Sequence, residues 1–192
     1  IAGLYEAAEN QMGWDLELDE PLDQLLVADE DVDRTEYETL EGVQDAKNVQ
    51  FSYSSNLLGV QSASSHGYRY NEEEDAYEKL PDNTVLTEEQ TGETVYVKNV
   101  IFMRLPHILM PNGVHWSIAY TSQKDDQGEL IPREGIFMNG GKTYPIEFTK
   151  ESPEAPTEFT LNGEPLVLDP GLTFIQVLPE DAPVTILETV TY

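Results

Sequence analysis

After residue 47, hydrophobic and polar positions follow the short period of β-strands. "VQFSY" (49–53) is a β-rich run, and "YRYNEEEDAYEKL" (68–80) predicts a strand, an acidic turn and a second strand. "ETVYVKNVIFMRL" (93–105) is apolar at consecutive positions, which predicts a central strand with both faces buried. "LTFIQVL" (172–178) and "VTILETVTY" (184–192) predict two further strands near the end of the chain.

Turn signals separate these runs. Asn112-Gly113, Asn139-Gly140 and Asn162-Gly163 each lie between β-type segments, and Asn-Gly favours the positive φ angles of tight hairpins. Asp169-Pro170-Gly171 marks a fourth turn. Repeated strands joined by such turns predict a mainly β domain of antiparallel strands.

The N-terminal 47 residues have a different pattern. Apolar residues at positions 1, 4, 5, 8 and 12 have helical spacing, and Gly13 ends the predicted helix. An acidic connector follows, so the predicted fold class is mainly β (α+β). The predicted division is 1–47, a helix and connector that form the tail of a missing N-terminal domain, and 48–192, the antiparallel β domain.

Charge and cysteine content exclude several activities. The chain has 37 acids against 10 bases, a net charge of −27, and it repels phosphate backbones and anionic lipid surfaces. Nucleic acid is therefore not an expected partner. The absence of cysteine excludes disulfides, thiolate metal sites and cysteine nucleophiles.

The letters Gly-Gly-Lys-Thr at 140–143 do not form a phosphate-binding loop. Such a loop needs a glycine at position 136, where this chain has Ile136, and a helix after the lysine. "YPIEF" (144–148) instead alternates like a strand. The segment is predicted to be a hairpin tip.

Residues 133–181, "REGIFMNGGKTYPIEFTKESPEAPTEFTLNGEPLVLDPGLTFIQVLPED", resemble the C-terminal half of the YerB-like lipoproteins, a bacterial family of unknown function. "YRYNEEEDAYEKL" and "VYVKNVIFMRL" look like the preceding hairpin and central strand of that domain. The resemblance implies an exported Gram-positive cell-surface protein. Its lipid anchor would belong to a full-length form, outside this fragment. The resemblance implies no catalytic residues.

Three residues are candidates for ligand binding. If Pro111-Asn112-Gly113 closes a three-residue loop, Leu109 pairs with His115 and His107 with Ser117. His107, His115 and Ser117 then share one face, with the two histidines within about 8 Å of each other. Such a face could hold a metal or move a proton, although no third metal ligand is adjacent and a one-residue register shift would separate the pair.

"DEDVD" (29–33) resembles the start of a calcium loop, but Arg34 stands where glycine is needed and Leu40 where glutamate is needed. Loose calcium binding by the acidic loops is the one cofactor left open. No metal site and no catalytic residue is assigned.

We expect a non-catalytic binding or scaffolding module of the cell envelope. Its partner would be an envelope protein or a cell-wall component, contacted by loops on a rigid sheet. The alternative is an envelope hydrolase or a metal-dependent enzyme that uses the His107/His115 face.

Overall fold

The computed structural model describes residues 25–62, 64–113 and 115–187, which form sixteen strands and a single 3₁₀ turn at Thr35–Tyr37. In chain order the strands are β1 (Leu26–Val27), β2 (Gln44–Asp45), β3 (Asn48–Phe51), β4 (His66–Asn71), β5 (Ala76–Pro81), β6 (Tyr96–Val97), β7 (Asn99–Leu105), β8 (His107–Leu109), β9 (Trp116–Ile118), β10 (Arg133–Asn139), β11 (Lys142–Lys150), β12 (Thr157–Leu161), β13 (Glu164–Pro165), β14 (Val167–Leu168), β15 (Thr173–Pro179) and β16 (Val184–Leu187).

Two sheets carry most of these strands. The larger has the order β13-β12-β11-β10-β7-β15, with β2 added beside β11, and the smaller has the order β16-β3-β4-β5-β6. β1 pairs with β14, and β8 pairs with β9, in two small separate ladders. Within the described residues the fold is thus mainly β, as predicted.

A buried core joins the two sheets. Phe51 and Tyr68 of the smaller sheet contact Phe102 of β7 with ring centroids 5.2 and 6.1 Å apart. Val100 and Met138 belong to the same cluster. Strand side chains alternate between faces, so alternate residues of β7 supply this core and a second one.

The second core covers the opposite face of the larger sheet. It includes Ile101 and Met103 of β7 together with Phe137 and Phe148. Leu40, from the acidic connector, packs against it. β7 is therefore buried on both sides, which confirms the central strand predicted from its continuous apolar run.

The hairpin predictions have mixed outcomes. Asn162-Gly163 forms the two-residue turn expected of it: both residues have positive φ, and Leu161 pairs with Glu164. The acidic turn between β4 and β5 is also confirmed. At the tip of β10–β11, however, Asn139 pairs with Lys142, and Gly140 and Gly141 form the turn. This releases the Asn139 side chain for another role.

Two strand pairings depart from the predicted antiparallel arrangement. β1 pairs parallel with β14, and β15 runs parallel to β7, with Thr173 beside Asn99 and Pro179 beside Leu105. Asp169-Pro170-Gly171 does bend the chain, but it leads into this parallel strand and not into a hairpin. Turn residues specify pairing between neighbouring segments; they carry no information on where a strand inserts after a long connection.

The predicted N-terminal helix lies outside the described residues, and the α+β label has no support within them. The boundary at residue 48 stays a prediction. The described part of the connector supplies β1, which pairs with β14 in a separate ladder, and β2, which pairs with β11 of the larger sheet, and so packs on the β domain. No helix in the described residues is long and apolar enough to cross a membrane.

Candidate binding cleft

The three candidate residues of the β8–β9 hairpin do not share a face. Leu109 pairs with Trp116 and His107 with Ile118, one position away from the predicted register. The amide N of Met110 donates to the carbonyl of His115 at 2.8 Å, so the loop has four residues instead of three. His107 and His115 therefore lie on opposite faces of the ladder, and Ser117 is opposite Ile108.

Each histidine has its own local partner. His107 Nδ1 is 2.8 Å from the carbonyl oxygen of Leu105, while His115 Nδ1 is 2.8 Å from Asn112 Nδ2. His115 is exposed and His107 half-buried. The predicted register that would bring the two histidines together is wrong, and a ligand-binding role for these residues stays a prediction.

In the described part of the connector, residues 25–47, the carboxylates are not gathered into one site. Asp33 Oδ1 accepts from the backbone and hydroxyl of Thr35, and Asp31 Oδ2 lies 3.1 Å from Lys98 Nζ. Across the described ranges, no group of three histidine or acidic side chains is placed to hold a metal ion. Loose calcium binding stays a prediction.

A buried polar cluster, which sequence reasoning missed, ties the connector to the larger sheet. We call it the clasp, and it consists of Arg34, Asn99, Asn139 and Asp169. Arg34 Nη1 donates to Asp169 Oδ1 at 2.6 Å, and Asn139 Nδ2 donates to Asp169 Oδ2 at 2.9 Å. Asn99 Nδ2 donates to the carbonyl of Asp169 at 2.8 Å. The side chains of Arg34 and Asp169 are only 5% and 4% exposed.

The clasp is a structural element because its polar groups are satisfied internally. Arg34 Nη2 donates to the Val167 carbonyl at 2.6 Å, and its guanidinium lies 5.1 Å above the Phe137 ring. A buried charge is tolerated when it is paired and hydrogen-bonded. The available donors of the clasp are thus used by the fold itself.

Lys98 extends the clasp towards the surface. Its Nζ lies 2.7 Å from Asp75 Oδ2 and 4.0 Å from Asp169 Oδ2. Partial burial tends to raise the pKa of Asp75, but hydrogen bonds from Lys98 and from the Tyr70 hydroxyl outweigh burial and hold the pKa below its usual value.

The larger of two described clefts, about 640 Å³, lies between β16 and the β10–β11 hairpin. Val184 and Ile186 of β16 form one side. Gly42 of the connector and Gly163 of the β12–β13 turn line it as well. We call this space the cleft; its volume is in the range of ligand-binding pockets.

Charged residues form a row across the floor of the cleft. Glu134 of β10 is directly opposite Glu147 of β11, and both line the cleft. The β10–β7 register pairs Gly135 with Met103, which places Arg104 beside Glu134 on the same face. Like charges directly opposite on neighbouring strands are destabilising. The fold therefore maintains an unfavourable charge pair at the surface of a cavity.

Arg104 differs from the arginine of the clasp. Its Nε is buried and has no hydrogen-bond partner, and the ion pairs of the described chain do not include it. A buried donor without an acceptor costs about 1–3 kcal/mol. The cleft thus combines two exposed carboxylates with one half-buried arginine that forms no ion pair within the described residues.

The second cleft, about 400 Å³, is mostly apolar and lies beside β12. Leu26, Phe159 and Leu168 are among its lining residues. It offers one carboxylate, Glu158, and it borders the start of the described chain. We consider it secondary because its lining has little chemistry to select a ligand.

Sequence similarity places this mainly β domain in a family. The family described as "Protein of unknown function (DUF3048) C-terminal domain" matches residues 58–175, and the chain belongs to it. No curated protein sequence matches the chain.

A solved structure shares the fold. The chain is similar to the YerB protein from Bacillus subtilis, with a TM-score of 0.66 and 20% sequence identity. The match covers 96% of this chain and 53% of that one, so the chain spans about half the length of the YerB chain. The predicted YerB-like resemblance is confirmed.

Proposed function

We propose that the domain is a non-catalytic binding module of the cell envelope and that the cleft is its binding surface. The row formed by Arg104, Glu134 and Glu147 carries this proposal. These residues combine an unsatisfied buried donor with a directly opposed pair of like charges, and both features cost stability. A positively charged group bound between the two glutamates would relieve their repulsion.

The location and class of partner follow from the family resemblance. It implies an exported lipoprotein at a Gram-positive cell surface, anchored through a lipid in the full-length form. The partner would then be an envelope protein or a cell-wall component. The net charge of −27 argues against nucleic acid.

The alternative, an envelope hydrolase, has one observation in its favour. Glu134 and Glu147 are directly opposite each other, and retaining glycosidases use two carboxyl groups about 5 Å apart. In such enzymes an apolar environment keeps one carboxyl protonated. Both glutamates are exposed, so their arrangement fits charge recognition better than acid catalysis.

A capture experiment with matched variants tests the proposal. Wild-type protein, the cleft variant Glu134→Gln/Glu147→Gln and the control Glu73→Gln/Glu74→Gln would be immobilised and exposed to envelope extract. Glu73 and Glu74 lie in the exposed β4–β5 turn, so the control removes the same charge away from the cleft. We expect the wild type and control, but not the cleft variant, to retain the same envelope component.

Two results would contradict the binding module. One is that no envelope component is retained by any of the three proteins. The other is that all three retain the same components equally, because binding would then be independent of the cleft.

A further inference from the structure

Resting on the proposed function, we propose that the ligand of the cleft is an extended, basic polypeptide segment of another protein, which adds as a strand to the edge of β16. Three features of the described residues carry the inference: the outward backbone groups of β16, the negative charge of the floor, and the place of Arg104 at the end of the charged row.

Hydrogen bonding along β3 shows which backbone groups of β16 face outward. Ser52 N donates to the Pro183 carbonyl at 3.3 Å. Alternate residues of an antiparallel strand bond the same neighbour, so Thr185 and Leu187 direct their backbone groups to β3. The peptide groups of Val184 and Ile186 therefore point away from the sheet.

The opposite side of β3 agrees with this assignment. Tyr70 N donates to the Lys47 carbonyl at 2.8 Å, which places Val49 and Phe51 in the hydrogen bonds with β4. Asn48 and Gln50 are then left to bond β16. In the described chain β16 is the end strand of its sheet, so its outward groups form an edge that accepts another strand.

The cleft lies directly against this edge, because Val184 and Ile186 line it. A strand added to β16 would lie over the floor, with alternate side chains directed towards it. Ile136 and Pro145 are paired on the floor and offer an apolar contact, and Glu134 and Glu147 follow on the same face. A basic side chain placed between these glutamates would neutralise the like-charge pair.

Arg104 lies at the end of the row, where it lines the cleft and is half-buried, so the added strand would contact this side chain. With Glu41, the charged lining residues amount to three carboxylates and one guanidinium, so the occupant carries net positive charge.

Charge also argues against a second copy of this chain as the occupant. Two chains of net charge −27 repel each other, and the edge region is itself acidic. The five residues directly after β16, "ETVTY", include one acid and no base, so this segment does not complement the floor either.

Three probe peptides separate strand addition from simple charge attraction. The basic probe is acetyl-Thr-Lys-Val-Lys-Thr-amide; the second carries Glu in place of both Lys; the third is the basic peptide with N-methyl groups on alternate residues. The N-methyl groups remove hydrogen-bond donors without changing the charge. Binding would be followed by amide chemical shifts of the uniformly labelled protein, with special attention to Val184 and Ile186.

We expect the basic probe to shift the amides of Val184 and Ile186. N-methylation should weaken binding by about tenfold, because it removes backbone hydrogen bonds. Glu134→Gln/Glu147→Gln should weaken it by about three- to tenfold, and Glu73→Gln/Glu74→Gln by less than about twofold. The acidic probe should leave the spectrum unchanged.

The inference is overturned if the basic and N-methylated peptides bind equally, or if no peptide moves the β16 amides at millimolar concentration. It is also overturned if those amides shift with protein concentration alone, which would identify a second copy as the occupant. Cleft-dependent capture of an envelope component in the earlier experiment would leave the binding module standing in each of these cases. The two proposals can thus fail separately.

Discussion

The clasp and the cleft each contain an arginine, and the two side chains have opposite surroundings. Arg34 is bound to a buried carboxylate and to backbone carbonyls, whereas the buried Nε of Arg104 has no acceptor. Asp169 is accompanied by donors, while Glu134 faces another glutamate. Polar groups that satisfy one another maintain a fold, and charged groups left exposed at a cavity are available for binding.

The largest expected difference in the free energy of unfolding is between the two arginine variants, Arg34→Met and Arg104→Met. Arg34→Met leaves Asp169 buried without its main partner, and we expect it to lower the free energy of unfolding by about 3 kcal/mol. This is near the lower end for a broken buried pair because Lys98 Nζ remains 4.0 Å from Asp169. Arg104→Met removes an unsatisfied donor, so the change in the free energy of unfolding should be close to zero.

Urea unfolding of both variants would measure the difference. Asp126→Ala, at an exposed acid with no role in either region, is the control and should stay within about 0.5 kcal/mol of the wild type. If the two arginine variants lose the same free energy of unfolding, the contrast between the paired Arg34 and the unpaired Arg104 is wrong.

The next largest effect on stability is expected at the Gly140-Gly141 turn, which places Asn139 in the clasp. Gly141 has φ +73°, and an added Cβ would lie 3.0 Å from the Tyr70 ring. We expect Gly141→Ala to lower the free energy of unfolding by about 2 kcal/mol, part of it from left-handed backbone strain. Gly140 has φ +56° and open space around its Cα, so Gly140→Ala should lose only about 1 kcal/mol. Thermal unfolding would rank the two, and the reverse order would contradict the contact with Tyr70.

Sequence patterns predicted the parts of the fold that depend on neighbouring residues. The turn at Asn162-Gly163 and the β4–β5 hairpin were found because their signals lie within a few residues of the strands they join. The β7–β15 pairing and the Arg34–Asp169 pair were missed. The second joins residues 135 positions apart, and no local pattern connects them.

The candidate site was harder to predict because it depends on register. A one-residue error in loop length put His107 and His115 on the same face when they lie on opposite faces. The sequence does contain a signal that predicts the pairing of the two glutamates of the cleft. Once Gly140 and Gly141 are recognised as the turn, counting outward pairs Glu134 with Glu147. The unsatisfied Arg104 could not be predicted, since it depends on packing.

A smaller effect is expected at the floor of the cleft. Glu147→Gln removes one of two opposed like charges, and its other cross-strand neighbour is the uncharged Thr160, so it should raise the free energy of unfolding by about 0.5 kcal/mol. Glu158→Gln is the matched control, because Glu158 is exposed on the same sheet but faces Thr149. The gain should decrease in 1 M salt, which screens exposed charges. A stability loss for Glu147→Gln in urea unfolding would mean that the glutamate serves the fold.

The smallest expected effect on stability depends on pH and concerns Asp75, which pairs with Lys98 on the solvent side of the clasp. Hydrogen bonds from Lys98 and Tyr70, acting against burial, hold the pKa of Asp75 below its usual value in the folded protein. A lowered folded pKa means that the unfolded chain binds the proton first as pH falls. The stabilisation is therefore complete above the pKa of the unfolded chain, about 3.9, and is lost as pH falls through the folded pKa.

Asp75→Asn cannot titrate at this position and provides the test. At neutral pH the wild type should be the more stable protein by less than about 1 kcal/mol, because half of the Asp75 side chain is exposed. The difference should shrink as pH falls below about 4. Urea unfolding of both proteins between pH 7 and pH 3 would measure it. A difference that stays constant with pH would mean that the Asp75 carboxylate does not stabilise the fold through Lys98. The buried bonds between Arg34 and Asp169 would be unaffected by that result.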